Sequence, residues 1–148
     1  MAEDPKTRSL FLCVMDGHGE DGDKVSQNIK SKFVSYLFNH PSFENDIKTA
    51  LTDVIARCET EVIREASIET DFSGTTFTAA VIRDNTCVLA NIGDSRTSLA
   101  FRNPDNSIGA VSLTIDHKPD LPAEKVFFRL KFSCFFVGCI IVLFHFCE

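Results

Sequence analysis

Ten residues near the amino terminus constrain this chain more than any others: Leu10-Phe11-Leu12-Cys13-Val14-Met15-Asp16-Gly17-His18-Gly19. Six apolar residues run directly into an acid, a glycine, a histidine and a second glycine. The apolar run has strand length and no helical period, which predicts a buried β-strand. The glycine-flanked end predicts a tight turn at the strand tip. A carboxylate at such a tip is held by a rigid sheet while its side chain faces a cleft. Glycine at 17 lets an ion or ligand approach the backbone carbonyl closely.

The chain after this stretch changes period twice. Val25, Ile29, Phe33, Tyr36 and Leu37 recur every three to four residues, which predicts a helix starting near Asp21 or Asp23 and ending near Asn39-His40-Pro41. Ser42 is expected to cap a second helix, whose stripe is Phe43, Ile47, Leu51, Ile55, Cys58, Val62 and Ala66, reaching about Ser67. Asp21 and Asp23 read as solvated or capping acids. After Gly74 the period becomes two. Strands are expected over 75–83, 86–92, 97–102 and 109–115, with Asp84-Asn85 as a hairpin turn. Asp120 to Lys125 can open a further helix, with Pro122 near its first turn. Strand, two helices and a run of antiparallel strands make an α+β pattern with helices on sheet.

Composition narrows the function. The 148 residues amount to at most one ordinary domain. A net charge of −6 argues against a nucleic-acid surface, which rests on basic patches. Cys13, Cys58, Cys87, Cys134, Cys139 and Cys147 form no Cys-x-x-Cys pair, so zinc spacing is absent. Their placement suits a reducing, cytoplasmic or nuclear compartment rather than a disulfide framework. Met1 to Ser9 reads as a loose, charged lead-in, and Leu10 to Met15 is too short for a signal-peptide core. Val126 to Glu148 differs from the rest: it holds half of the 14 phenylalanines and shows no amphipathic period.

Four short motifs stand in order along the chain: Asp16-Gly17-His18-Gly19, Ser73-Gly74-Thr75-Thr76, Gly93-Asp94-Ser95-Arg96 and Asp116-His117-Lys118-Pro119. Together, with their spacing and context, they resemble the metal-dependent protein serine/threonine phosphatases of the PP2C (PPM) family, over roughly residues 10–125. The resemblance implies an α-β-β-α sandwich of antiparallel sheets flanked by helices. It implies two Mg²⁺ or Mn²⁺ ions at one end of the sheets. It assigns Asp16 as the bridging metal ligand, the Gly17 carbonyl as a ligand to one ion, and His18 as the general acid. Asp94 maps to a looser metal position. Ser73-Gly74 and Asp116-His117 read as structural punctuation. The implied substrates are phosphoserine and phosphothreonine proteins.

The family also carries an Arg and a Glu-Asp pair on an earlier strand, and later aspartates that complete the metal site. Glu3-Asp4 sits beside Pro5 and too near Leu10 for a separate paired strand, so the earlier role is not transferred. The later motifs are absent after about Lys125. The expected organisation is a charged lead-in at 1–9, a partial, truncated phosphatase domain at 10–125 and a divergent hydrophobic tail at 126–148. Two readings of activity stay open: a metal-dependent phosphatase, incomplete in this chain, and an inactive truncated isoform or pseudophosphatase that binds partners. The tail has three readings: a membrane anchor, a segment packed over exposed sheet, and a replacement of the native sequence by splicing or gene-model read-through, which is the preferred one.

Overall fold

A computed structural model describes residues 1–118 and 140–145. The elements are β1 (Ala2–Asp4), β2 (Ser9–Val14), β3 (Gly17–His18), α1 (Gly22–Phe38), α2 (Ile47–Ile63), β4 (Gly74–Thr75), β5 (Phe77–Arg83), β6 (Thr86–Ile92), β7 (Ser98–Arg102), β8 (Ile108–Ser112) and β9 (Ile140–His145). One five-stranded antiparallel sheet has the order β1-β2-β5-β6-β9. Two small ribbons, β3-β4 and β7-β8, stand outside it. The expected α+β class holds: the structure is mixed, with antiparallel sheets and two helices.

The core lies between the large sheet and both helices. α1 buries Val25, Ile29, Phe33 and Leu37, the four-residue spacing read from the sequence. α2 buries Leu51, Val54, Ile55, Cys58 and Val62. These meet the alternate residues Phe77, Ala79 and Val81 of β5 and Val88, Ala90 and Ile92 of β6 in one cluster. Phe33 joins sheet to helix: its ring lies 5.4 Å from that of Phe11 and 4.8 Å from that of Phe77. The Asp84-Asn85 turn is the expected two-residue hairpin, and Asp84 takes the left-handed conformation (φ 51°) that such a turn demands.

Three expectations need correction. Met1 to Ser9 is not a loose lead-in. β1 pairs with β2 through Ala2↔Phe11, Glu3↔Leu10 and Asp4↔Ser9. The buried Asp4 carboxylate closes the intervening turn, accepting from the Thr7 N–H at 3.0 Å and from the Thr7 hydroxyl. Those bonds to Thr7 hold its pKa below the ordinary carboxylate value. Closeness in sequence is no barrier when a side chain supplies the turn's hydrogen bonds.

The second helix is shorter than its apolar stripe. Asp46, not Ser42, is the N-cap, and its carboxylate accepts from the Thr49 N–H at 3.0 Å. Phe43 lies in the preceding turns yet is buried in the same core. Arg83 fixes that turn by donating to the carbonyls of Phe43 (2.9 Å) and Glu44 (2.7 Å) and to Ser9 Oγ (2.7 Å). Ala66, expected on the helix stripe, is exposed beyond the helix end.

Within the hydrophobic tail, residues 140–145 add an antiparallel edge strand to β6, from Asn91↔Ile140 to Thr86↔His145. The helix expected at 120–125 and the greater part of the tail lie outside the described residues. Among the described residues, no helix is long and apolar enough to cross a membrane.

Candidate active site

The site is built at the end of β2, where the sheet stops and the chain turns. Asp16 is pinned there by its backbone alone. Its N–H donates to Thr76 Oγ1 at 3.0 Å, and its carbonyl accepts from the Thr76 N–H at 2.9 Å. The carboxylate is exposed, and no hydrogen bond or ion pair engages it among the described residues. A rigid backbone under a free carboxylate is the arrangement a metal-binding acid needs.

Gly17 and His18 form β3, which pairs with β4 through Gly17↔Thr75 and His18↔Gly74. Glycine at 17 is demanded by contact: a Cβ there would run into the Gly22 carbonyl at the start of α1. Gly19 has φ +82°, and a Cβ on it would strike the Phe72 carbonyl and Ser73. His18 is exposed at this glycine-lined corner.

Asp21 corrects another expectation. It occupies the N-cap position of α1, but its side chain caps no helix N–H. Its carboxylate, buried, accepts from the Glu69 N–H at 2.8 Å and pairs with Lys24 at 2.6 Å, and its own N–H donates to Ser73 Oγ at 3.0 Å. The Glu69 N–H is the main reason its pKa falls below the ordinary value. Asp21 therefore ties the 65–73 loop to the strand tip.

The remaining motifs join through Thr76 and Gly93. Thr76 Oγ1 lies 2.7 Å from Ser95 Oγ. Gly93 has φ +91°, and a Cβ on it would come within 2.9 Å of Thr76 Cγ2. The Gly93 carbonyl accepts from the His117 N–H at 2.9 Å. Arg96 grips Asp116 in a two-pronged pair, with both N···O distances 2.7 Å. Lys118 adds a third contact at 3.2 Å. Arg96 is the main cause that holds the Asp116 carboxyl far below the usual carboxylate range. Asp94 projects from this turn, exposed, one residue before the hydroxyl that meets Thr76.

The structure thus gathers the sequence-nominated residues at one end of the sheet. Asp16, Gly17 and His18 share the strand tip. Asp94 joins them through the path from the Asp16 N–H to Thr76 Oγ1 to Ser95 Oγ. Sequence reasoning quoted Thr76 in a motif and read Asp21 as a solvated or capping acid, but missed the supporting roles of both and of Gly22.

The donor chemistry decides which ligands fit. A free carboxylate and a glycine carbonyl are hard oxygen donors, suited to Mg²⁺ or Mn²⁺. Among the described residues no three His, Cys, Asp or Glu side chains cluster to hold an ion alone. Mg²⁺ commonly keeps several waters and takes only one or two carboxylates, so Asp16 fits as one of them. Thiols do not compete: burial pushes Cys13 up to about 12 and Cys58 up to about 11, which keeps both protonated at neutral pH.

Comparison with known proteins agrees with this fold. The sequence matches the Protein phosphatase 2C family over residues 1–139. Probable protein phosphatase 2C 69 of Arabidopsis thaliana is 31% identical over 112 residues, which are 76% of this chain and 30% of that protein. A serine-threonine phosphatase 2C structure from Toxoplasma gondii superposes with a TM-score of 0.66 at 24% identity, covering 83% of this chain and 45% of that one. The catalytic domain of the serine/threonine phosphatase PstP, solved in complex with 2 manganese ions, superposes at 0.60 with 20% identity, covering 93% and 62%. The chain belongs to the PP2C phosphatase family. It spans between 24% and 41% of the length of the curated relatives it matches.

Proposed function

We propose that this chain supplies the Asp-Gly-His-Gly corner of a metal-dependent protein serine/threonine phosphatase. One observation carries the reading: two hydrogen bonds to Thr76 fix the backbone of Asp16 while its carboxylate stays free and exposed. Asp16 and the Gly17 carbonyl would hold Mg²⁺ or Mn²⁺. When bound, the metal supplies an activated water and neutralises phosphoryl charge. Asp16 orients that position, and Gly17 leaves room for close approach. His18, exposed beside it, gives a proton to the serine or threonine alkoxide as the phosphorus–oxygen bond breaks. Asp94 faces the same end as an additional carboxylate. Phosphoserine and phosphothreonine proteins are the substrates this reading implies.

A second reading, phosphoprotein binding without turnover, is favoured by the small number of donors at the strand tip among the described residues. Mn²⁺-dependent hydrolysis of a phosphothreonine peptide separates the two. The phosphatase reading expects turnover that Asp16→Ala abolishes and that His18→Ala lowers by about 10² to 10⁴. Folded chain that binds the peptide and releases no phosphate establishes the second reading.

A further inference from the structure

An aromatic side chain stands in water on the loop next to this corner, and hydrogen bonds hold the backbone that carries it. Phe72 is 85% exposed, the most exposed large apolar side chain apart from Met1 among the described residues. It does not sit on a floppy loop. Its N–H donates to Glu69 Oε2 at 3.1 Å, and the Asp71 N–H donates to Glu69 Oε1 at 2.7 Å. The Glu69 N–H is in turn bound by the buried Asp21. The Phe72 carbonyl abuts Gly19, the residue after His18, so closely that no Cβ fits between. The next residues, Gly74 and Thr75, pair with His18 and Gly17. On the same loop, Ser73 and Gly74 line a shallow cleft with Val62, Thr70 and the half-exposed Ile63.

Exposing a phenylalanine forgoes its burial energy, and here the backbone that carries it is held in place by Glu69. Nothing in the core explains the placement. We infer that Phe72 is a specificity residue: it receives an apolar side chain flanking the phosphorylated residue of a peptide bound at the Asp16–His18 corner. Asp71, exposed beside it, favours a basic residue in the same flank. The inference rests on the phosphosite reading above and adds the peptide sequence the site prefers.

The test measures binding, so it does not depend on turnover. Two fluorescent phosphothreonine peptides, each with one arginine, carry either leucines or alanines on both sides of the phosphoresidue. Their affinities for the full chain with Mn²⁺ are read by anisotropy. The leucine peptide is expected to bind about tenfold tighter than the alanine peptide. Phe72→Ala should erase that preference, and Phe72→Leu should keep most of it. Asp71→Asn should weaken both peptides alike. Equal affinity of the two peptides for the wild-type chain, a preference unchanged in Phe72→Ala, or no binding of either peptide would each overturn the inference. Loss of phosphate release with the leucine preference intact would instead sink only the phosphatase reading.

Discussion

The two halves of this molecule are held by different physics. Between helices and sheet, apolar rings and branched chains fill a core whose members need only volume and a face. At the strand-tip corner, the chain is held by single hydrogen bonds and by glycines in contact with backbone. Phe33 is buried against the rings of Phe11 and Phe77, whereas the Asp16 backbone rests on one threonine. The core therefore sets how stable the chain is, and the corner sets how accurately its few functional atoms are placed. A change in the first should act on the whole fold, and a change in the second should act locally.

The largest effect belongs to the core. Phe33→Ala removes the ring that touches both Phe11 and Phe77. It should cost about 3–5 kcal/mol in urea unfolding, while Mn²⁺ affinity per folded molecule stays unchanged. A changed metal affinity at full folding would break the division between the two regions. Thr76→Val tests the other side. It keeps the shape but leaves the Asp16 N–H without its acceptor and Ser95 without its partner. The expected loss is about 1–3 kcal/mol, with faster amide exchange at Asp16 and Ser95 and weakened Mn²⁺ binding. Unaltered exchange there would show that Thr76 is not the hub. Gly93→Ala comes next, at roughly 1–2 kcal/mol, because the residue has φ +91° and crowds Thr76. Its exchange signature should reach Asp16 through Thr76 rather than spread into α1.

The same division explains what was legible in the sequence. The core was readable because periodicity is written by many residues at once: Val25, Ile29, Phe33 and Leu37 declare a helix face even if one is misread. Element ends were less so. Asp46 outcompeted Ser42 as the cap because seven residues of turn intervene after α1, and no pattern encodes which polar residue meets an N–H. The corner was readable as four motifs but not as a mechanism of assembly. That Asp16 and Thr76 meet is a contact sixty positions apart. That the Asp21 carboxylate accepts from the Glu69 N–H rather than from a helix N–H is equally non-local. The paired strand Ala2–Asp4 was missed for the converse reason: Asp4 makes its own turn, a local side-chain bond that composition hides.

The smallest effect tests a place where charge, rather than apolar area, joins the two helices. Glu61 of α2 meets Lys32 of α1 at 2.8 Å and Arg57 at 2.9 Å, and it accepts from the Tyr36 hydroxyl at 3.2 Å. Arg57 also covers the Tyr36 ring at 3.5 Å. Lys32 first, then Arg57, holds the Glu61 carboxyl at about 2, against an ordinary 4.5. The folded chain therefore stays ionised at pH values where the unfolded chain has already taken a proton. The contribution is complete above about 4.5 and is lost as pH falls from there through about 2. Glu61→Gln should thus narrow its stability deficit against wild type as acid is added, from roughly 0.2–1 kcal/mol at neutral pH toward none. The group is partly open to solvent, so added salt should shrink the neutral-pH deficit too. A deficit that persists unchanged at pH 2 would mean that Glu61 acts by packing, and that the helix pair is held by the same area-driven physics as the core beneath it.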